Sequence, residues 1–395
     1  MVAGMTADPL AGDFFRFADD LTDDERAILA RVRDFLDKEV APVALDHWAK
    51  AEFPHHLVPG FAALDIARLP YASLGPKARQ LLIGFLSLEM AHTDPSMNSF
   101  FGIHNGLAMG SIDLCGSDEQ RERWLPPMAR MELIGAFGLT EPHGGSDVAR
   151  GLETTARRDG DSWVLEGEKR WIGNGTFADL VVIWARDVAD DNVKGFVVEQ
   201  TNPGLSTTKM ENKVALRTVQ NAEIVLRDCR VPEADRLQRA NSFKDTNGVL
   251  RRTRGGVAWG ATGTQMAAYE IALEYAKERE QFGRPIAGFQ LVQDLLVRML
   301  GNTTASLAMA VRLAHMQDAG TAHDDHAALA KEYCTSRMRE TVAMAREVVG
   351  GNGIVLDYGV AKYFADAEAL YSFEGTRQIN TLVVGRSITG HSAFV

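Results

Sequence analysis

The sequence predicts an α+β fold that is mostly helical, with helical regions on either side of a central β region. Three observations support this prediction. A capping-box pattern, Thr22 with Glu25, begins a helical apolar stripe; short β-rich runs bounded by turn residues begin near residue 134; and an apolar period of 3.6 residues returns beyond about 245. We therefore expect an N-terminal helical domain at 1–133, a central β-domain at 134–243 and a C-terminal helical bundle at 244–395.

The individual elements follow from the spacing of apolar and turn residues. The stripe after the capping box consists of Ile28, Leu29, Val32, Phe35, Leu36 and Val40. Similar helical patterns lie near 76–92, 98–115 and 117–130, and the runs WVLE, DLVVIWAR, GFVVE and AEIVLRDCRV predict strands. An Ala-rich helical stretch from 326 to 349 stops at a glycine pair, so three or four long helices are expected to close the chain.

Composition and charge exclude several classes of function. Acidic residues outnumber basic ones, 53 to 42, and the net charge of -11 argues against nucleic acid or an anionic membrane surface as the main partner. The three cysteines are widely spaced without a CxxC, so no disulfide framework and no metal site are expected. No membrane span, targeting signal or terminal SKL is found, and we expect a cytoplasmic protein.

Nucleotide-binding loops of the common kinds are missing from the sequence. No GxGxxG or GxxxxGK[ST] occurs, and an α, then β, then α order excludes the alternating pattern of a doubly wound fold. Neither HExxH nor GxSxG occurs, so metal-dependent and acyl-enzyme chemistry have little support. Any nucleotide must be held in another way.

Three segments carry residue types that suit a bound ligand. In FGLTEPHGGSD, glycines allow close backbone approach, and Thr140 and Ser146 can donate hydrogen bonds; a polar interdomain loop is the alternative. In KRWIGNGTF, Trp171 can cover a planar ring or be an ordinary core aromatic. In REQFGRPIAGFQ, Arg279 can pair with a pyrophosphate or simply cap a helix.

A fourth segment, FEGT, places Glu374 between two helical patterns. A carboxylate in such a connection can project into a cleft between domains. Removal of a weakly acidic proton beside a carbonyl group requires a base that is sheltered from water, has a raised pKa and works beside hydrogen-bond donors aimed at the developing negative charge. The alternative is that Glu374 is only a neighbour of a helix N-cap.

Together, these motifs resemble the acyl-CoA dehydrogenase family over nearly the whole chain. The resemblance rests on LTEPHGGSD, WIGNG, ERxQFGRPI followed by Gln290, GGNGI and EGTRQI, in this order. It implies an N-terminal helical domain, a β-barrel-like middle domain and a four-helix bundle. It also implies a homotetramer or homodimer with FAD held across subunits, an acyl-CoA substrate, and an electron-transferring flavoprotein as partner.

The resemblance also assigns site residues by position. It implies that the flavin is lined by Phe137, Leu139, Thr140, Gly145, Ser146, Trp171, Ile172 and Gly173. The pyrophosphate and adenosine of a neighbouring subunit's FAD are implied to meet Arg279, Gln281, Phe282 and Gln290, with the site completed by Glu347, Gly350, Gly351, Thr376 and Gln378. Contacts with acyl-CoA are implied for Asn98, Ser99, Ser146, Leu250, Arg254 and Gly375.

By the same resemblance, Glu374 is the catalytic base. Some relatives carry the base near residue 250, but NGVLRRTRGGVAWG contains no acid. The implied reaction removes an α-proton to Glu374 while a β-hydride passes to the flavin, giving a trans-2-enoyl-CoA. The backbone N–H of Glu374 and a flavin ribityl hydroxyl are implied to polarise the thioester oxygen.

Three departures from the family pattern bear on the substrate and the electron acceptor. The sequence is similar to those of glutaryl-CoA dehydrogenases. Asn98, however, stands where those enzymes have the arginine that pairs with a distal carboxylate. Because a buried carboxylate without its cation is costly, we expect the substrate to have an uncharged, short or medium acyl chain. Gly173 stands where many dehydrogenases have threonine, and KAEFP resembles plant acyl-CoA oxidases, so transfer of electrons to oxygen is the alternative. Glu347 replaces a glutamine. A scaffold that lost its chemistry is not favoured, because the base is present.

Overall fold

The computed structural model describes residues 9–394. Part of the N-terminal stretch used for the targeting prediction, 1–8, and the last residue of the chain lie outside the described residues. The N-terminal helices are α1 (Asp23–Phe35), α2 (Ala41–Lys50), α3 (Val58–Ala63), α4 (Gln80–Thr93), α5 (Pro95–Phe101), α6 (Gly110–Cys115) and α7 (Asp118–Ala129). Wide π-helical turns at Leu36–Val40 and Gly102–Met109 join α1 to α2 and α5 to α6.

The predicted capping box begins α1. Thr22 Oγ1 accepts from the backbone N–H of Glu25, and Glu25 Oε2 accepts from the backbone N–H of Thr22 at 2.9 Å. Two of the otherwise unpaired donors at the helix start are thus satisfied. Ser117 and Gln120 form the same arrangement at the start of α7.

The central region is a seven-stranded sheet with one short helix. Its elements are β1 (Gly135–Gly138), α8 (Val148–Gly151), β2 (Thr155–Asp159), β3 (Ser162–Ile172), β4 (Leu180–Asp187), β5 (Val193–Glu199), β6 (Leu205–Lys209) and β7 (Ala222–Pro232). β1 is parallel to β4, whereas β4–β5, β2–β3, β3–β7 and β6–β7 are antiparallel.

Strand β4 is buried on both faces and joins two cores. Val181 and Ile183 pack inside the sheet. Val182 and Trp184 pack against α6, α7 and the first turns of the helix that begins at Phe243. A strand covered on both faces reads as a continuous apolar run, as DLVVIWAR does. The sheet is therefore fixed against the N-terminal helices.

Long helices close the chain. They are α9 (Phe243–Glu278), α10 (Gln290–Asp318), α11 (Asp324–Val349), α12 (Val360–Ser372) and α13 (Arg377–Thr389), with a hairpin of β8 (Glu280–Gln281) and β9 (Arg284–Pro285) between α9 and α10. The described residues contain no helix long and apolar enough to cross a bilayer. The predicted fold class, helical regions around a central β-domain, is confirmed.

Two features bring the helical regions close together. A Cβ at Gly263 on α9 would lie 2.2 Å from the Leu88 carbonyl oxygen, so only glycine permits this approach of α9 to α4. Lys362 on α12 is buried, with its Nζ 2.7 Å from Asp94 Oδ1 and 3.2 Å from Asp366 Oδ2. Because Asp94 caps α5, this cluster ties α12 to the N-terminal helices.

Candidate active site

Glu374 lies in a strained turn between α12 and α13. Its φ is 51°, in the left-handed region that costs a non-glycine residue about 1–3 kcal/mol, and Gly375 follows at φ 89°. Hydrogen bonds hold the turn. Thr376 Oγ1 accepts from the N–H of Ile379 at 3.3 Å, and Asn380 Nδ2 donates to the carbonyls of Gly375 and Thr376 at 2.9 and 3.0 Å. A strained acidic residue that is held so firmly is typical of a functional site.

The carboxylate of Glu374 is sheltered from solvent. Among the described residues, its Oε2 is buried without a hydrogen-bond partner. Burial raises the pKa of Glu374, and the Thr253 side chain, then the Lys331 and Arg254 cations, oppose part of this rise. The group is therefore a stronger base than an exposed glutamate, yet it can still ionise.

The start of α9 presents one arginine to the base and two to solvent. Arg251 and Arg252 are exposed, whereas Arg254 is buried and pairs with Asp324. Thr253 Oγ1 lies 3.3 Å from the Leu250 carbonyl and beside the Glu374 carboxylate, so its one proton has two acceptors in reach. Arg254, predicted from the sequence as a contact for acyl-CoA, thus acts electrostatically on the base.

A buried ion pair fixes the loop that follows β1. Lys169 Nζ lies 2.7 Å from Glu141 Oε1 and donates to the Leu139 carbonyl at 3.2 Å. Glu141 also accepts from the N–H groups of Glu153 and Thr154 at 2.6 and 2.9 Å. Burial lowers the pKa of Lys169 to about 8, against the attraction of Glu141. This pair holds the residues predicted to line the flavin against the end of β3.

Within that loop, small and aromatic groups remain open to solvent. Gly145 and Ser146 are exposed, Leu139 is buried, and Phe137 and Thr140 are half-buried. At the end of β3, Trp171 has a φ of 65° and is 55% exposed, which leaves its ring available to a planar ligand, while Ile172 and Gly173 are buried.

The π-helical segment Gly102–Met109 connects the loop and the base. A Cβ at Gly173 would lie 2.2 Å from Ile103 Cδ1, and a Cβ at Gly106 would lie 3.2 Å from Thr253 Cγ2. Gly173 and Thr253 therefore contact points three residues apart on one segment. One segment therefore contacts both Gly173, predicted to line the flavin, and Thr253, which lies beside the Glu374 carboxylate.

Asn98, on α5, lies where α4 and α9 meet. Asn98 Oδ1 accepts from Ser87 Oγ at 3.0 Å, and a Cβ at Gly260 would lie 2.7 Å from Asn98 Nδ2. Thr253 and Gly260 are seven residues apart, roughly 10 Å along α9, and the position of Gly256 between them opens on free space.

Two other residues predicted to contact acyl-CoA, Ser99 and Leu250, have their side chains in other interactions. Ser99 is buried and donates back to the carbonyl of Pro95 at 2.9 Å, so its hydroxyl is used within its own helix. Leu250 is half-buried and packs against the core that β4 shares with the N-terminal helices. Gly375 lies in the Glu374 turn, and Ser146 in the exposed loop.

The residues predicted to meet adenosine and pyrophosphate fall into two separate groups. One group lies exposed at the hairpin and at the end of α11: Arg279, Gln281, Phe282, Gln290, Glu347, Gly350 and Gly351. The other group, Thr376 and Gln378, begins α13, where Arg377 lies 3.7 Å from Glu332. Glu332 and Glu347 are fifteen residues apart on α11, roughly 22 Å. One protomer does not bring the two groups together.

The sequence reasoning did not single out Lys331, Thr253 or the Glu141–Lys169 pair. Lys331 is one of several charged residues in the Ala-rich stretch, beside Glu332 and Arg337, and only its place on the buried face with Ala327 and Cys334 distinguishes it. The described residues contain no cluster of His, Cys, Asp or Glu suited to a metal ion, and their three cysteines are free and buried.

Comparisons with known proteins place this arrangement in a family. Family models match at 22–132, 136–229 and 243–389, described as the N-terminal, middle and C-terminal domains of acyl-CoA dehydrogenase. The chain is 31% identical over 376 residues to a 3-(aryl)acrylate reductase of Clostridium sporogenes, covering 93% of this chain and 99% of that protein. It is 30% identical over 378 residues to an acyl-CoA dehydrogenase of Bacillus subtilis, covering 94% and 99%.

A solved structure agrees with these matches. The glutaryl-CoA dehydrogenase of Mycobacterium smegmatis in complex with FADH2 superposes with a TM-score of 0.94 at 31% identity, covering 98% of this chain and 100% of that one. The chain belongs to the acyl-CoA dehydrogenase family. It is an oxidoreductase of the class that acts on CH–CH bonds, and the predictions of family, enzyme class and FAD as cofactor are confirmed.

The residues present suit a flavin. The ring of Trp171 and the backbone at Gly145 and Ser146 are exposed, and Gly173, two residues after Trp171, contacts Ile103 of the Gly102–Met109 segment. Thr253, which contacts Gly106 of the same segment, lies beside the Glu374 carboxylate. The exposed groups would hold the flavin, which would supply the acceptor for a hydride.

Proposed function

We propose that this protein catalyses the FAD-dependent α,β-dehydrogenation of a short or medium, uncharged acyl-CoA to a trans-2-enoyl-CoA. The observation that carries this proposal is the state of Glu374, whose Oε2 is buried and unpartnered on a strained turn, with Thr253 linking it to the segment that contacts Gly173. Electrons then pass to an electron-transferring flavoprotein, and the chain works as a homotetramer or homodimer.

In the proposed mechanism, Glu374 accepts the α-proton of the thioester. Its backbone N–H donates to no protein acceptor among the described residues, so it is available to the thioester oxygen as negative charge develops there. Bound FAD supplies the acceptor for the β-hydride. Leu139, Thr140 and Trp171 would hold the flavin, and the exposed group around Arg279 would serve the FAD of a second subunit.

The proposed acyl chain lies along the stretch of α9 from Thr253 to Gly260, which contacts Asn98. The length of this stretch, roughly 10 Å along α9, suits a short or medium chain. The groups that contact Asn98, Ser87 Oγ and the Gly260 backbone, are neutral, so a distal carboxylate would be buried there without a cation.

Transfer of electrons to oxygen remains the second candidate because of Gly173. At this position a threonine side chain would overlap Ile103, so the hydroxyl that many dehydrogenases carry there is replaced by an apolar contact. The Bacillus subtilis relative named as a dehydrogenase supports the first candidate.

One experiment separates the candidates. Purified protein is mixed anaerobically with straight, branched and dicarboxylic acyl-CoAs, the flavin absorbance is followed, and air is then admitted. We expect bleaching by uncharged chains and slow recovery of colour in air. Fast recovery with stoichiometric peroxide would instead assign an oxidase.

Glutaryl-CoA is the discriminating substrate in this series. An unpaired buried carboxylate costs about 3 kcal/mol or more, so we expect flavin reduction by glutaryl-CoA to be at least about 100-fold less efficient than by butyryl-CoA. Rapid bleaching by glutaryl-CoA with release of carbon dioxide would contradict the assignment based on Asn98.

The pH dependence of flavin reduction tests whether Glu374 must be ionised for the reaction. Only ionised Glu374 accepts a proton, so the rate at saturating acyl-CoA should rise with pH through the raised pKa of this group. Thr253→Val removes a side chain that lowers this pKa, and should move the acidic limb of the profile to higher pH in stopped-flow measurements. A limb that stays in place or moves to lower pH would show that Thr253 does not act on the base.

A further inference from the structure

Lys331 lies beneath the Glu374 turn. It is 1% exposed, and its Nζ donates to the carbonyl oxygens of Phe373 and Gly375, which flank Glu374 in the chain. No carboxylate of the described residues lies within ion-pair distance of its ammonium group. Burial lowers the pKa of Lys331 to about 7, against the attraction of Glu374 and together with the repulsion of Arg254.

A purely structural role explains this lysine poorly. Taking a cation out of water without an opposite charge in contact is costly, and the neighbouring face of α11 is mostly apolar, with Ala328 and Cys334 buried. The Gly375 carbonyl already accepts from Asn380 Nδ2 at 2.9 Å, so it does not need the lysine to be satisfied. An ionisable group kept here at such a cost indicates a function.

The geometry of the peptide bond relates Lys331 to the proposed oxyanion donor. The carbonyl of Phe373 and the N–H of Glu374 belong to one planar, trans peptide unit, so they point in opposite directions. With Nζ on the carbonyl side, the N–H must point away from α11. A cation on the carbonyl oxygen also polarises the peptide and makes its N–H a stronger donor.

We propose that Lys331 is a positioning residue of the reaction, which fixes the Phe373–Glu374 peptide unit and strengthens its N–H as the donor to the thioester oxygen. This inference rests on the proposed dehydrogenation. The same ammonium group acts a second time through its charge, which favours the ionised form of Glu374 together with Arg254, itself paired with Asp324.

The test measures stabilisation of the enolate separately from the redox step. In a 3-thia acyl-CoA, sulfur replaces the β-carbon, so the α-proton can leave but dehydrogenation cannot be completed. The resulting anion gives a long-wavelength charge-transfer band beside oxidised flavin. The pH midpoint of this band measures how well the site stabilises the enolate.

The main variant is Lys331→Met, which keeps the length of the side chain and removes its charge and donors. We expect the midpoint to rise by about one to two pH units, and the rate of flavin reduction by butyryl-CoA to fall by roughly 10- to 100-fold, because a weakened oxyanion donor loses part of the factor that a whole donor provides. FAD content should stay near that of the wild type.

Thr335→Val is the matched control. Thr335 is buried one turn further along α11, and its Oγ1 donates to the Lys331 carbonyl at 2.8 Å without touching the turn. Its midpoint and rate should equal those of the wild type. If it shifted as much as Lys331→Met, general loosening of α11 would be the cause, and the proposal would fail.

Lys331→Gln is the second variant and decides the matter if Lys331→Met does not retain FAD. It removes the charge but keeps a neutral donor, so the midpoint should rise, though by less than when both the charge and the donors are lost. A folded, yellow variant with an unchanged midpoint would overturn the proposed role of Lys331 and leave the proposed dehydrogenation standing. If the wild type is not bleached by any acyl-CoA, the proposed function fails as well.

Discussion

Glu374→Gln should retain yellow FAD and bind acyl-CoA, yet lose roughly 10³-fold or more in the rate of flavin reduction, because the amide cannot accept the α-proton. The substitution preserves shape, and the buried Oε2 has no hydrogen-bond partner among the described residues that an amide would lose. Stopped-flow measurement with butyryl-CoA under nitrogen gives the rate, and perturbation of the flavin spectrum reports binding.

Glu368→Gln is the control for this variant. Glu368 lies on α12 in an exposed ion pair with Arg339 at 2.8 Å, so the same chemical change there should leave the rate within about a factor of two. A Glu374→Gln protein that was still reduced at close to the wild-type rate would remove Glu374 from the mechanism.

Of the substitutions proposed for this protein, Lys169→Met should lower the free energy of unfolding the most. It leaves Glu141 buried without its cation, and breaking a buried pair in this way costs about 3–5 kcal/mol in the free energy of unfolding. Because the pair holds the loop from Leu139 to Ser146, the purified variant should also contain much less FAD. Chemical denaturation of the apoprotein and the ratio of flavin to protein absorbance measure the two effects.

The neighbouring residue provides the comparison. Arg170 pairs with Glu223 at 3.0 Å on the surface, and Arg170→Met should cost less than about 1 kcal/mol with FAD retained. Equal losses for both variants would mean that the burial of the Glu141–Lys169 pair has no special role in the flavin loop.

Much of the fold was predictable because its signals are local. The capping box at Thr22, the apolar run of β4 and the end of α11 before Gly350 each depend on a few neighbouring residues. The helical pattern near 98–115 was also visible. Its wide turns at Gly102–Met109 were not, because an apolar period does not distinguish π from α turns over one or two turns.

The site was predictable only where a motif marks it. Glu374 was identified through its surrounding family pattern, but its strained φ and its unpartnered oxygen required coordinates. The contact of Ile103 with Gly173 joins segments far apart in the sequence, so neither segment alone predicts it. Lys331 was missed for a related reason. A lysine within an Ala-rich helix is an ordinary solvated residue until the turn that covers it is known.

The central claim is that Glu374 removes a proton, and a bound flavin a hydride, from an acyl-CoA. A single-turnover product analysis tests this claim most directly. The protein is mixed anaerobically with excess butyryl-CoA, quenched, and analysed for thioesters. One trans-2-enoyl-CoA per flavin reduced, with none formed by Glu374→Gln, is the predicted result. A flavin that stays oxidised, or bleaches without any enoyl-CoA, would contradict the claim.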